Sequence, residues 1–205
     1  LFIRWFQYGT FCPIFRAHGR RYPGDTKAPN ELWAYGPEVQ RICTDFIKLR
    51  YRLLPYIYTL SDRVTREHYT PMRLLAFDFP QDEKVLDCKD QFMYGPALLV
   101  CPILEAGATS RSVYLPEGHT WFDFWTGKKY QGGITVMAEA PLSTMPLYVK
   151  AGSIIPYYMS VEKNINTDIP LEIHVFTGED AIFNLYEDDG ETIEYKDCLL
   201  YTSDA

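Results

Sequence analysis

No run of about 18 apolar residues occurs in this 205-residue chain, so nothing in it reads as a helical membrane span. Paired cysteine spacing is lacking too. Cys12, Cys43, Cys88, Cys101 and Cys198 are scattered, with no Cys-x-x-Cys and no histidine at metal-ligand spacing, so they are expected to be small buried hydrophobes rather than zinc ligands or a disulfide framework. Positive charge is scarce: 20 Lys and Arg stand against 27 Asp and Glu, a net −7, with no basic run. That makes nucleic acid and anionic membrane surfaces poor partners and leaves neutral ligands open. A glycine-rich phosphate loop, a Gly-x-Ser-x-Gly elbow and a Cys–His pair are also missing, and no metal or cofactor is implied.

What is present is an ordinary globular composition, 47% hydrophobic and 23% charged, with 16% aromatic residues that suit either core packing or stacking on sugar faces. The chain opens on Leu1 without Met and reads as the interior of a longer protein; Cys198 to Ala205 reads as a non-native tail. Leu1 to Thr10 is expected to close an amphipathic helix, with Gly9 as its stop. The next stretch, Cys12 to Gly19, is the one that asks for an explanation. As a β-strand it would put Ile14, Arg16 and His18 on one face. A buried Arg16 would need a carboxylate to offset its desolvation, and a His at a strand end stands where barrel enzymes keep their chemistry. An edge strand whose Arg16 and His18 face water is the alternative.

Residues 19–33 read as a long loop, with Trp33 expected to pin it to the core. Gly36 and Pro37 then signal a helix start, with Glu38 in its first turn. Val39, Ile42, Phe46, Leu49, Leu53, Ile57, Leu60 and Val64 form one buried stripe, and Pro55 is expected on the wet side as a kink. Pro71 to Phe77 follows as a strand containing Arg73, which asks for a partner; Asp78 sits after it without matching a catalytic motif. From residue 97 onward short strands are expected at 97–103, 113–115, 121–125, 134–138 and 147–155, separated by turns at Gly107, Gly118, Gly127 and Gly132-Gly133. A polar boundary at Asn164 to Asp168 precedes a hairpin of residues 171–176 and 181–186, and Glu187 to Glu191 reads as a solvated acidic turn.

Taken together, Arg4-Trp5-Phe6-Gln7, Pro13-Ile14-Phe15-Arg16-Ala17-His18-Gly19, Glu31-Leu32-Trp33, Leu49 to Tyr58, Met72-Arg73, Asp90 to Gly95, Tyr114-Leu115-Pro116, Ala151 to Pro156 and Leu185 to Gly190 resemble, in order and spacing, the C-terminal part of a glycoside hydrolase family 31 enzyme. The wording around Cys12 to Gly19 is most similar to the α-xylosidases of that family. The resemblance implies an α/β plus all-β chain: residues 1–95 as the C-terminal end of a TIM (β/α)8 barrel, 96–168 as a proximal antiparallel β-sandwich, 169–197 as the start of a distal β domain and 198–205 as the non-native tail. It implies a retaining α-glycosidase removing terminal α-xylosyl units from xyloglucan-type oligosaccharides, whose two catalytic carboxylates lie upstream of Leu1, so that no catalytic residue is in this chain. His18 would hydrogen-bond the sugar being cleaved, and Arg16 would hold an acidic neighbour from the upstream strands. The other readings are an α-glucosidase or transglycosylase of the same family, a non-catalytic carbohydrate-binding β module using Trp121, Trp125 and Tyr130, and a purely structural sandwich. An oligosaccharide is the expected partner; the oligomeric state is not encoded legibly.

Overall fold

The helix that Gly36 and Pro37 signal starts where they put it, and its end is set by a proline three residues on. In the computed structural model, which describes residues 1–19, 29–161 and 169–193, α1 spans Phe2–Thr10, α2 Pro37–Arg52 and α3 Leu54–Glu67. Gly36 caps α2 at φ 96°, Pro37 takes the first helical position and Glu38 lies in the first turn. The expected single helix is therefore two. Pro55 has no N–H to give and its ring crowds the preceding turn, so the first helix ends at Arg52 and Pro55 falls in the opening turn of α3, where no N–H is needed. It is buried there, not on the wet side. Ile42, Phe46, Leu53, Ile57 and Leu60 of the expected stripe are buried, while Val64 is exposed. Gly9 lies inside α1 and does not stop it. Its role is close approach, because a Cβ there would meet the Phe15 ring at 2.9 Å.

Two expectations about strands are overturned. Residues 12–18 are bends and extended chain, not a strand, because a strand exists only through ladder partners and none of the described strands lies beside them. Nor is there a parallel strand–helix–strand unit among the described residues. β1 (Met72–Leu74) runs antiparallel to β2 (Phe92–Tyr94), and the chain then turns into α4 (Leu75–Asp78) instead of continuing as strand to Phe77. That turn brings the Asp78 carboxylate back onto Arg73 Nε at 2.9 and 3.0 Å, with the guanidinium also over the rings of Tyr69 and Phe77. Arg73 thus finds its partner five residues away.

The remaining strands are β3 (Leu98–Val100), β4 (Ser110–Leu115), β5 (Thr120–Asp123), β6 (Lys129–Gln131), β7 (Ile134–Glu139), β8 (Leu147–Lys150), β9 (Ser153–Tyr158) and β10 (Leu171–Phe176). A six-stranded antiparallel sheet has the order β1-β2-β3-β8-β5-β6; β4 pairs with β7 and β9 with β10. Period-2 alternation assigns the faces of the large sheet. Tyr94, Leu98, Val100, Leu147 and Val149 point to a core shared with α1, α2 and α3. Met93, Leu99, Tyr148 and Trp121 point to a second core closed by β4, β7 and the segment 75–85. β3 and β8 are therefore apolar on both faces.

Two further details depart from the alternation pattern. The run 147–155 is two strands in two sheets, split where Gly152 turns at φ 71° and meets Glu179 so closely that a Cβ would lie 2.7 Å from that side chain. β10 pairs with β9, and no hairpin forms with residues 181–186, which carry no strand. Those residues lie along α3 instead: Phe183 stacks on Tyr56, and Tyr186 N donates to Thr59 Oγ1 at 3.1 Å. The polar boundary around Asn164 to Asp168 and the tail 198–205 lie outside the described residues.

Candidate functional site

The segment carrying Arg16 and His18 leaves the C-terminus of α1, where the last helical carbonyls have no intrahelical donor. Arg50, in the last turn of α2, supplies one. Its Nη1 donates to Thr10 O at 2.6 Å and Cys12 O at 2.8 Å, and its Nη2 to Pro13 O at 3.1 Å. The same guanidinium lies 5.5 Å from the ring centroid of Phe15, which also packs edge-to-face on Phe6 at 4.7 Å. On either side of Phe15 the chain emerges into solvent, with Ile14 83% exposed and Arg16 and His18 both exposed.

Arg16 and His18 do lie together, as the alternation in sequence implied, although no strand holds them. Arg16 Nη2 is 3.1 Å from His18 Nδ1. A guanidinium only donates, so Nδ1 is the acceptor and the ring hydrogen sits on Nε2. The imidazole is thereby set as an Nε2–H donor. Arg16 satisfies itself on the imidazole and not on a carboxylate of the described residues. The His18 carbonyl accepts from Asn30 Nδ2 at 3.2 Å; Asn30 Oδ1 in turn accepts from the Tyr35 hydroxyl, and the Tyr35 ring stacks on Phe2 with centroids 4.0 Å apart. Asn30, backed by Tyr35, holds the His18 carbonyl and Arg50 holds the turn before it, and none was singled out in sequence. Asn30 and Tyr35 flank the Glu31-Leu32-Trp33 run, the only signal that could have pointed to them.

Trp33 does not pin the loop. It is 63% exposed, and the anchoring falls to its neighbours Leu32, packed on the first core, and Tyr35. The loop portion 20–28 lies outside the described residues. Cys12 is not a reactive thiol here: burial pushes its pKa up, and its Sγ lies 3.5 Å from Tyr8 O as a donor.

The other sequence candidates separate. Trp121, Trp125 and Tyr130 do not make a platform, since Trp121 is fully buried in the second core with Nε1 donating to Pro116 O at 2.9 Å. Trp125 packs edge-on to Phe46 of the first core, and Tyr130 on Tyr148 of the second. In the acidic turn Asp188 and Asp189 both accept hydrogen bonds, one of the donors coming from α3. Asp188 is partly buried, which works against its ionisation, yet hydrogen bonds from the Tyr186 and Tyr58 hydroxyls and Gly190 N hold its carboxyl below the ordinary value. No group of three or more potential metal ligands occurs among the described residues. A cleft of about 440 Å³ lies elsewhere, between Trp5 and Tyr8 of α1 and the segment 72–74, with Asp90 and Leu104 on its rim; neither Arg16 nor His18 lines it.

Residues 1–60 match the description "Glycosyl hydrolases family 31 TIM-barrel domain" and residues 68–155 match "Glycosyl hydrolase family 31 C-terminal domain". An α-xylosidase of Saccharolobus solfataricus is 40% identical over 201 residues, covering 96% of this chain and 26% of that protein. An α-glucosidase of Bacillus thermoamyloliquefaciens is 36% identical over 96% of this chain and 24% of its own length. Among solved structures, the family 31 α-xylosidase of Xanthomonas citri superposes with a TM-score of 0.87 at 44% identity, covering 95% of this chain and 21% of that one. The family 31 dextranase of Flavobacterium johnsoniae, seen with isomaltotriose, has the same TM-score of 0.87 at 37% identity over 96% and 24%. The chain spans about a quarter of the length of these curated relatives.

Proposed function

We propose, because this chain belongs to glycoside hydrolase family 31, that it is the C-terminal part of a retaining α-glycosidase, specifically an α-xylosidase that removes terminal α-xylosyl units from xyloglucan-type oligosaccharides. In this reading residues 1–95 complete a (β/α)8 barrel together with polypeptide preceding Leu1. Residues 96–168 form a proximal β domain, 169–197 begin a distal one, and 198–205 are a non-native tail. The nucleophile and the acid/base, a pair of carboxylates about 5–5.5 Å apart in a retaining enzyme, come from that preceding polypeptide. This chain contributes the sugar contact. His18 donates from Nε2 to a hydroxyl of the xylosyl ring, at C2, where a hydrogen bond tightens as positive charge develops at the anomeric carbon.

The observation that carries the reading is the Arg16 contact on His18 Nδ1, which leaves the imidazole with one committed acceptor and one outward donor. Arg16 orients the ring, and its remaining N–H groups face the acidic neighbour expected from the preceding strands. The choice of xyloside over glucoside is supported by the α-xylosidase relatives at 40% and 44% identity.

In the complete enzyme, His18→Ala is expected to cost about 1–3 kcal/mol in kcat/KM on an aryl α-xyloside, with kcat falling as well. Wild type should favour the xyloside over its 2-deoxy analogue by a wider margin than His18→Ala does. Both constants within about twofold of wild type would overturn the assignment of His18. The 205-residue chain alone should turn over no aryl α-xyloside, since it lacks the carboxylate pair that proton transfer and covalent trapping require. A second reading, an α-glucosidase or transglycosylase, is favoured by the α-glucosidase relative and by the dextranase at equal TM-score. A higher kcat/KM for an aryl α-glucoside than for the α-xyloside would select it.

A further inference from the structure

Arg50 holds the turn that leads from α1 into residues 15–18. The backbone from Thr10 to Pro13 has to turn away from α1 and deliver residues 15–18 along one course, and among the described residues no strand flanks it. Three carbonyls in that turn, of Thr10, Cys12 and Pro13, converge on one guanidinium that comes from a helix 40, 38 and 37 residues further along the chain. The planar fork lets Nη1 take two of them and Nη2 the third, and its face covers the Phe15 ring. Thr10 O is one of the orphan acceptors at the C-terminus of α1, where a cation is also favoured by the helix dipole.

We infer that Arg50 is a positioning residue for His18: it fixes the departure of residues 12–15 from α1 and so sets where the Arg16–His18 pair stands. This rests on the reading of His18 as the sugar contact. Arg50 acts through the backbone, since its contacts end at Phe15, three residues short of the imidazole. The three carbonyls are neutral, as is the Tyr94 hydroxyl that the guanidinium also meets, so what matters is the forked set of donors and not charge neutralisation. A lysine ammonium is a point donor at the end of a flexible stem and cannot span three carbonyls spread over four residues in the same way.

The test uses the complete enzyme and four variants: Arg50→Met, Arg50→Lys, His18→Ala and the double variant His18→Ala with Arg50→Met. The quantity read is the ratio of kcat/KM for an aryl α-xyloside to that for its 2-deoxy analogue, alongside kcat/KM itself. Arg50→Met should lower kcat/KM on the xyloside by roughly tenfold and narrow the ratio as His18→Ala does, with Arg50→Lys between wild type and Arg50→Met. In the His18→Ala background the same Arg50→Met change should cost less than about twofold, because what it positions is gone. A general loss of stability would lower both substrates together and multiply in the double variant. Should Arg50→Met fail to fold, Arg50→Lys carries the same test. If His18→Ala narrows the ratio and neither Arg50 variant does, or if the losses multiply, Arg50 is structural only and this inference fails by itself. An unchanged ratio in His18→Ala would remove the sugar contact, and the inference with it.

Discussion

Leu98–Val100 and residues 12–18 are both short and largely apolar in composition, yet they are held in opposite ways. β3 sits in the middle of a six-stranded sheet, hydrogen-bonded to β2 on one side and β8 on the other, with Leu98 and Val100 in one core and Leu99 in the other. Among the described residues, 12–18 have no ladder and are held by side chains from elsewhere: Arg50 under the turn, Phe6 against Phe15, and Asn30 on the His18 carbonyl. The first arrangement spreads its stability over many apolar contacts and backbone pairs. The second concentrates position in a few side chains and leaves Arg16 and His18 exposed. A scaffold and a ligand-contacting arm are expected to differ in this way, since an arm must present polar groups that a ladder would bury.

The comparison is broken most severely from the scaffold side. Trp121→Ala empties the largest side chain of the second core and strands the Pro116 carbonyl, for which a loss of about 3–5 kcal/mol is expected in urea unfolding of the chain. Leu99→Ala, in the central strand, should cost about 2–5 kcal/mol by the same measurement. A loss below that range at both positions would mean that the two-faced sheet is not the scaffold.

Arg4 supplies an intermediate case, a peg that holds scaffold instead of an arm. It donates to Ala140 O at 2.6 Å and Thr144 O at 2.7 Å, and more distantly to the Ala108 and Pro141 carbonyls, while the buried Gln7 donates to Leu142 O. Burial lowers the pKa of this guanidinium, whose acceptors are carbonyls and the Gln7 amide oxygen. Arg4→Met should cost about 1–3 kcal/mol, since those partly buried acceptors lose their donor. Equal losses for Arg4→Met and Arg50→Met in urea would remove the distinction between a peg for scaffold and a peg for the arm; the smaller loss is expected at Arg50.

The smallest effect belongs to β10, tied at its edge by Glu172. Its Oε1 is 2.6 Å from His174 Nε2 and its Oε2 is 2.6 Å from Arg52 Nη2. The hydrogen bond with His174, then the charges of His174 and Arg52, hold the Glu172 carboxyl below the ordinary range. A carboxylate with a lowered folded-state pKa contributes stability above its unfolded pKa and loses it as the pH falls through the folded one. Wild type should therefore show an extra loss of stability below about pH 4 that Glu172→Gln does not. Parallel acid limbs for the two proteins would count against the tie.

Much of the scaffold was legible because its causes are local. The start of α2 follows from Gly36 and Pro37 in adjacent positions, and the turns at Gly107, Gly118 and Gly127 come from residues whose positive φ only glycine adopts easily. The strands at 98–100, 110–115 and 134–139 follow from apolar runs or period-2 alternation. The burial of Ile42, Phe46, Leu53, Ile57 and Leu60 follows from helical spacing. Of the site, the pairing of Arg16 with His18 was legible too, since residues two apart in extended chain share a face.

What only the tertiary structure decided is which element meets which. The split of 147–155 between two sheets, the pairing of β10 with β9 in place of a hairpin, and the fork of Arg50 under residues 10–13 each depend on contacts far apart in the chain. Glu179 stands against Gly152 from 27 residues on, and Arg50 reaches Thr10 across 40. Propensity and periodicity act over a few residues, so the sequence by itself set what each stretch could become. The choice among those options was made by whichever distant partner could satisfy its backbone and cover its apolar face.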